Sequence, residues 1–178
     1  MSSTLPSRKE SEKLLGQYIK NEALREHCCL VAKVMEGYAA KFGEDEDLWY
    51  STGLLHDLDW EMYPDEHPKK AVEELLEDYP PELIAAVRAH APERMGVKPS
   101  AKIERYLFAC DELTGFLHAY SLMRPEGFVG MKASKVKKKL KDKSFAANVS
   151  REDIAYGFEL IEEEPAQHIS FLVEILTN

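Results

Sequence analysis

Leu54-Leu55-His56-Asp57-Leu58 sets an imidazole and a carboxylate side by side inside an apolar run. Leucines on both flanks imply burial, and a buried polar group lacking a hydrogen bond costs about 2–7 kcal/mol. A bound cation is the economical compensation, because neutral imidazole and ionised carboxylate are both good metal ligands. Whether the pair is a metal site then depends on how many further ligands the flanking segments bring to it.

Upstream, the pair sits on a helix predicted over Asp47–Leu58, and GEDED (43–47) supplies an acidic turn before it. Asn21 offers an N-cap for a helix reaching Phe42, with Leu24, Cys28, Val31, Met35 and Tyr38 on one face and His27 beside that stripe. A shorter helix is expected over Glu10–Lys20, after a flexible arm over residues 1–8. Downstream, the loop DWEMYPDEHP (59–68) holds His67 between two prolines, and Lys69–Tyr79 reads as an α-helix. Beyond Pro80-Pro81, Leu83 and Val87 continue at helical spacing onto His90. Ser100 is the expected cap of a long helix to Met123, whose buried face includes Asp111 among Ile103, Leu107, Thr114 and Leu117.

The C-terminal part follows a Gly- and Pro-marked loop, RPEGFVGMKA (124–133). Ser134 opens a lysine-rich helix, and Ser150-Arg151-Glu152-Asp153 has the form of a capping box for one helix over Asp153–Leu176, kinked near Pro165. Strand-like alternation is absent, so the fold class is all-α: a metal-binding core over about 21–123 with a helical extension over about 134–176, in a single domain spanning 9–178.

At 178 residues and 44% hydrophobic composition the chain can bury a sizeable core. A net charge of −9 argues against a nucleic-acid partner or an anionic-membrane binder. Cys28, Cys29 and Cys110 form no disulfide framework and read as thiols in a reducing cytoplasm. The start, MSSTLPSRKESEK, lacks the apolar run of a signal peptide, and no segment nears the roughly 18 apolar residues of a membrane span, so a soluble cytoplasmic protein is expected. Homo-oligomerisation is left open.

His27, His56, Asp57, His67, His90 and Asp111 thus fall on buried faces or in constrained turns of separate segments. Four imidazoles and two carboxylates suit two divalent metals with positions left for water and substrate. His118 and His168 read as structural.

The order His27, His56-Asp57, His67, His90, Asp111 resembles the HD-domain superfamily of metal-dependent phosphohydrolases in its six-ligand form. DELTGFLHAYSLMRP and KKKLKDKSFAANVSRE extend the likeness to an uncharacterised subgroup of predicted hydrolases. The resemblance implies a compact helical bundle and two divalent transition metals, iron, manganese or zinc. It also implies Asp57 as the bridging, catalytic carboxylate, with His27, His56 and Asp111 completing one metal's shell and His67 and His90 the other's. The substrate would be a small anion, a phosphate ester or anhydride of a metabolite or nucleotide. Many relatives read His-Asp-x-x-Lys, whereas Trp60 stands at the lysine's position here. Arg124, Lys138 and Lys139 of the basic C-terminal segment are the candidates for the missing cation. Two other functions suit the same ligands: an HD-type mixed-valent diiron oxygenase, and a non-catalytic metal-stabilised module.

Overall fold

The computed structural model describes residues 5–178, and they are all-helical, with no strand among them. The elements are α1 (Arg8–Tyr18), α2 (Glu22–Phe42), α3 (Glu46–Leu55), a π-helical segment (Ala71–Leu75), α4 (Pro81–Ala89), α5 (Pro92–Met95), α6 (Lys102–Ser121), α7 (Ala133–Leu140), α8 (Arg151–Ile161) and α9 (Pro165–Thr177).

The chain is organised around α2. Asn21 caps it by accepting the Leu24 N–H at 3.0 Å, and Gly43 ends it in the left-handed region at φ 69°, where glycine carries no Cβ penalty. Its two faces serve different clusters. Val31, Met35 and Tyr38 pack with residues of α6 and α9, whereas Cys28 and Ala32 pack with α1, α3, α4 and the π-helical segment. A Cβ on Gly53 of α3 would lie 2.8 Å from the backbone of Ala32, so only glycine permits the closeness of α2 and α3.

Several boundaries differ from those expected. Ser7 and Glu10 form a capping box, so α1 begins at Arg8; residues 1–4 of the expected arm lie outside the described residues, and Leu5 packs on the core. The helix bearing His56 ends at Leu55 rather than Leu58. The His56 ring takes the Gly53 carbonyl at 2.7 Å, which a continuing helix would bond to the Asp57 N–H, and the next bonds tighten to Leu58→Leu55 and Trp60→Asp57. The segment expected as an α-helix over Lys69–Tyr79 winds instead as a π-helix, with the Ala71 N–H drawn to the buried Asp59 carboxylate at 2.8 Å. For α6 the N-cap is Ala101; the Glu104 carboxylate accepts the N–H groups of both Ser100 and Ala101. The single kinked terminal helix is two helices, since Glu162 is left-handed at φ 55° and Pro165 disfavours helical geometry at Glu164.

Candidate metal centre

All six predicted ligand residues converge. Asp57, at the end of α3, divides its oxygens between two groups. Oδ2 faces the Nε2 atoms of His56 at 3.4 Å and His27 at 3.9 Å, while Oδ1 faces those of His67 at 3.5 Å and His90 at 3.7 Å. Asp111 of α6 closes the first group, its Oδ1 lying 2.9 Å from His27 Nε2 and 3.3 Å from His56 Nε2. In each of the sets His27-His56-Asp57 and Asp57-His67-His90, one donor atom per residue falls within 4.8 Å of the others.

Three of the imidazoles are oriented by acceptors behind them. His56 Nδ1–H donates to the Gly53 carbonyl, His90 Nδ1–H to the Val87 carbonyl at 2.5 Å, and His67 Nδ1–H to Asp59 Oδ1 at 2.6 Å. Carbonyls and carboxylates only accept, so each ring keeps its Nε2 lone pair for the centre. His67 Nε2 and His90 Nε2 consequently face each other at 3.2 Å, lone pair to lone pair. His56 Nε2 is fully buried and makes no hydrogen bond. A cation placed among these atoms satisfies all of them, so the donor set fits a divalent metal.

The carboxylates are held ionised. Burial opposes the charge on Asp57, but the His56 and His90 imidazoles outweigh it and keep its carboxyl well below the usual range. Burial likewise opposes protonation of His56, and the charges of Asp57 and Asp111 overcome it, raising the imidazole's pKa. On Glu112, burial first and the Asp111 charge second push the carboxyl up to about 7.

The cluster opens into a cavity of about 390 Å³. Its lining includes Trp60 and Arg94 together with Phe108, Glu112, Asn148, Val149 and Asp153. Arg124, Lys138 and Lys139 do not line this cavity. Arg124 instead donates to the Gly127 and Val129 carbonyls and staples its own loop; Lys139 pairs with Asp142 at 2.8 Å over the Phe145 ring; Lys138 is exposed on α7. The cation beside the centre is Arg94, whose guanidinium lies 5.3 Å from the Trp60 centroid. Sequence reasoning missed it, together with Asp59 and the lining residues Asn148, Val149 and Asp153. Asp59 carries a readable signal, a second carboxylate in the same apolar turn; Arg94 carries none, since only the fold of 59–68 against α5 places it.

A family model for the HD domain matches residues 24–115, just over half of the chain and all six converging residues. The chain belongs to the HD-domain family. No curated protein and no solved structure matches it. HD domains are typical of metal-dependent hydrolases. Outside the HD match, His118 Nε2 lies 3.4 Å from Glu26, and His168 bridges Tyr38 and the Ala109 carbonyl away from the centre.

Proposed function

We propose that this HD-domain protein is a metal-dependent phosphohydrolase that cleaves a phosphate ester or anhydride of a small soluble metabolite or nucleotide. The observation that carries the reading is the opposed Nε2 pair of His67 and His90, 3.2 Å apart with both Nδ1 hydrogens already donated. Such an arrangement calls for a cation, and the cavity beside it has room for a small substrate.

Two divalent transition ions, iron, manganese or zinc, match the two groups that share Asp57. When bound, such ions bring a water to ionise near neutral pH and polarise a phosphoryl oxygen. The chain's own contribution is positional. Asp57 ties the two groups together; Asp59 and the Gly53 and Val87 carbonyls hold three imidazoles in one tautomer and one orientation. Glu112, Asn148 and Asp153 offer hydrogen-bond acceptors to the part of the substrate that is not cleaved.

Elemental analysis of protein purified without chelators, followed by a panel of phosphorylated metabolites, tests this reading. The expected result is bound transition metal and phosphate release, both lost in Asp57→Ala. Absence of transition metal, or substrate-dependent dioxygen consumption by the iron-loaded protein, overturns it.

A further inference from the structure

Among the described residues that line the cavity, Arg94 is the one lysine or arginine, set against the carboxylates Asp57, Glu93, Asp111, Glu112 and Asp153. Its position is fixed from two directions. Nη1 donates to the carbonyls of Pro64 at 2.8 Å and His67 at 3.2 Å, which occupies both of that nitrogen's hydrogens. The guanidinium also sits over the Trp60 ring, which in turn stands edge-on to the His67 imidazole with ring centres 4.9 Å apart. Arg94 is therefore tied to the same loop that presents His67 to the centre.

The other edge of the guanidinium is free. Nε and Nη2 make no hydrogen bond, and Arg94 joins no ion pair, among the described residues. Those two nitrogens present parallel N–H groups that match two oxygens of a phosphoryl group, a bidentate geometry a lysine cannot reproduce. An exposed fork braced on Trp60, lining the same cavity as His27, Asp57, His67, His90 and Asp111 and surrounded there by carboxylates, suits an anion that reaches both.

We propose that Arg94, braced on Trp60, is the substrate-positioning residue that grips the phosphoryl oxygens of a phosphate ester. This deepens the hydrolase reading above and rests on it. Glu93, Glu112 and Asp153 in the same lining disfavour additional phosphates, so the substrate class is a compound with one terminal phosphoryl group and an uncharged or donor-bearing remainder.

The test uses inorganic phosphate titrated calorimetrically into the manganese-loaded full chain, with tryptophan emission as a second readout. The chain has two tryptophans; Trp49 is 3% exposed and Trp60 40%, so an anion arriving at Arg94 changes chiefly the emission of Trp60. Arg94→Gln is expected to weaken phosphate binding at least tenfold and remove the emission change, while Arg94→Lys, which keeps a donor for the Pro64 and His67 carbonyls, holds the loop and the metal content. Arg94→Lys should recover only part of the affinity, and Lys98→Gln, a nearby exposed cation outside the cavity, none of the loss. Equal phosphate binding by wild type and Arg94→Gln, equal loss in Lys98→Gln, or no phosphate binding by the wild type overturns the assignment. Metal content is measured separately, so a chain that holds no transition metal sinks the hydrolase reading, while the Arg94 dependence of phosphate binding is still read on the same protein.

Discussion

Asp59 is fully buried and has both oxygens engaged, Oδ1 by His67 Nδ1–H and Oδ2 by the Ala71 N–H. One side chain thus orients a candidate ligand and anchors the π-helical segment. Asp59→Asn preserves the shape but offers a single acceptor, so one of the two donors is left unpaired. Metal affinity is expected to fall about 10–100-fold, the usual effect of losing a residue that orients a ligating histidine, and stability by about 1–3 kcal/mol. Metal titration and chemical denaturation of the same variant check the two halves. Arg151 has a comparable role away from the centre, donating to the carbonyls of Asp142, Phe145, Ala146 and Val149 and so shaping the loop before α8. Arg151→Met leaves those carbonyls without their donor and is expected to cost about 3 kcal/mol, with protease cleavage appearing first within 142–149.

Packing of α9 depends on His168, whose Nε2–H donates to the Ala109 carbonyl at 3.1 Å, leaving Nδ1 to accept the Tyr38 hydroxyl at 2.5 Å. One imidazole therefore joins α9 to both α2 and α6, and burial favours its neutral form. Burial pulls its pKa down from 6.5 to about 4. Between those values the unfolded chain binds a proton that the folded chain refuses, so stability is full above pH 6.5 and declines as the pH falls towards 4. The shift corresponds to about 3 kcal/mol. His168→Gln is expected to flatten that acid slope while lowering stability at pH 7.5, as thermal melts across the range would show. On α3, Gly53→Ala pushes a methyl into the Ala32 backbone and should cost about 1–3 kcal/mol or more. These element-level features also mark what the sequence could convey. Asn21 and Gly43 delimit α2 through their own local chemistry and were readable. The early end of α3 and the π-helical winding were not, because each is set by a side chain, His56 or Asp59, competing for a particular backbone group. The break before α9 was half readable: Pro165 announces it, but the left-handed turn at Glu162 does not.

For the molecule as a whole, the centre gathers His27 from α2, Asp57 just past α3, His90 just past α4 and Asp111 from α6. A metal held by ligands that four elements bring together would couple metal binding to global stability. Metal at a hundredfold over its dissociation constant contributes about 2.7 kcal/mol, which for a chain of this size is about 5–10 °C in melting temperature. Chelation is expected to lower the melting temperature by that amount and Asp57→Ala to abolish the difference. The converging residues could be singled out because histidines and aspartates on apolar faces are conspicuous one by one. The cavity's cation could not, because Lys132–Lys143 dominates the linear charge pattern while α7 presents its lysines to solvent and buries Val136.

Every converging histidine and aspartate precedes residue 112, whereas Asn148, Val149 and Asp153 of the cavity lining follow residue 147. The part of the lining supplied by Asn148, Val149 and Asp153 is thus written outside the stretch that carries the centre. Mutation can redraft that part without touching the centre. Divergence in what the cavity admits should therefore concentrate in 145–153, and a library randomised there, with the centre left intact, is the natural starting point for redirecting its binding.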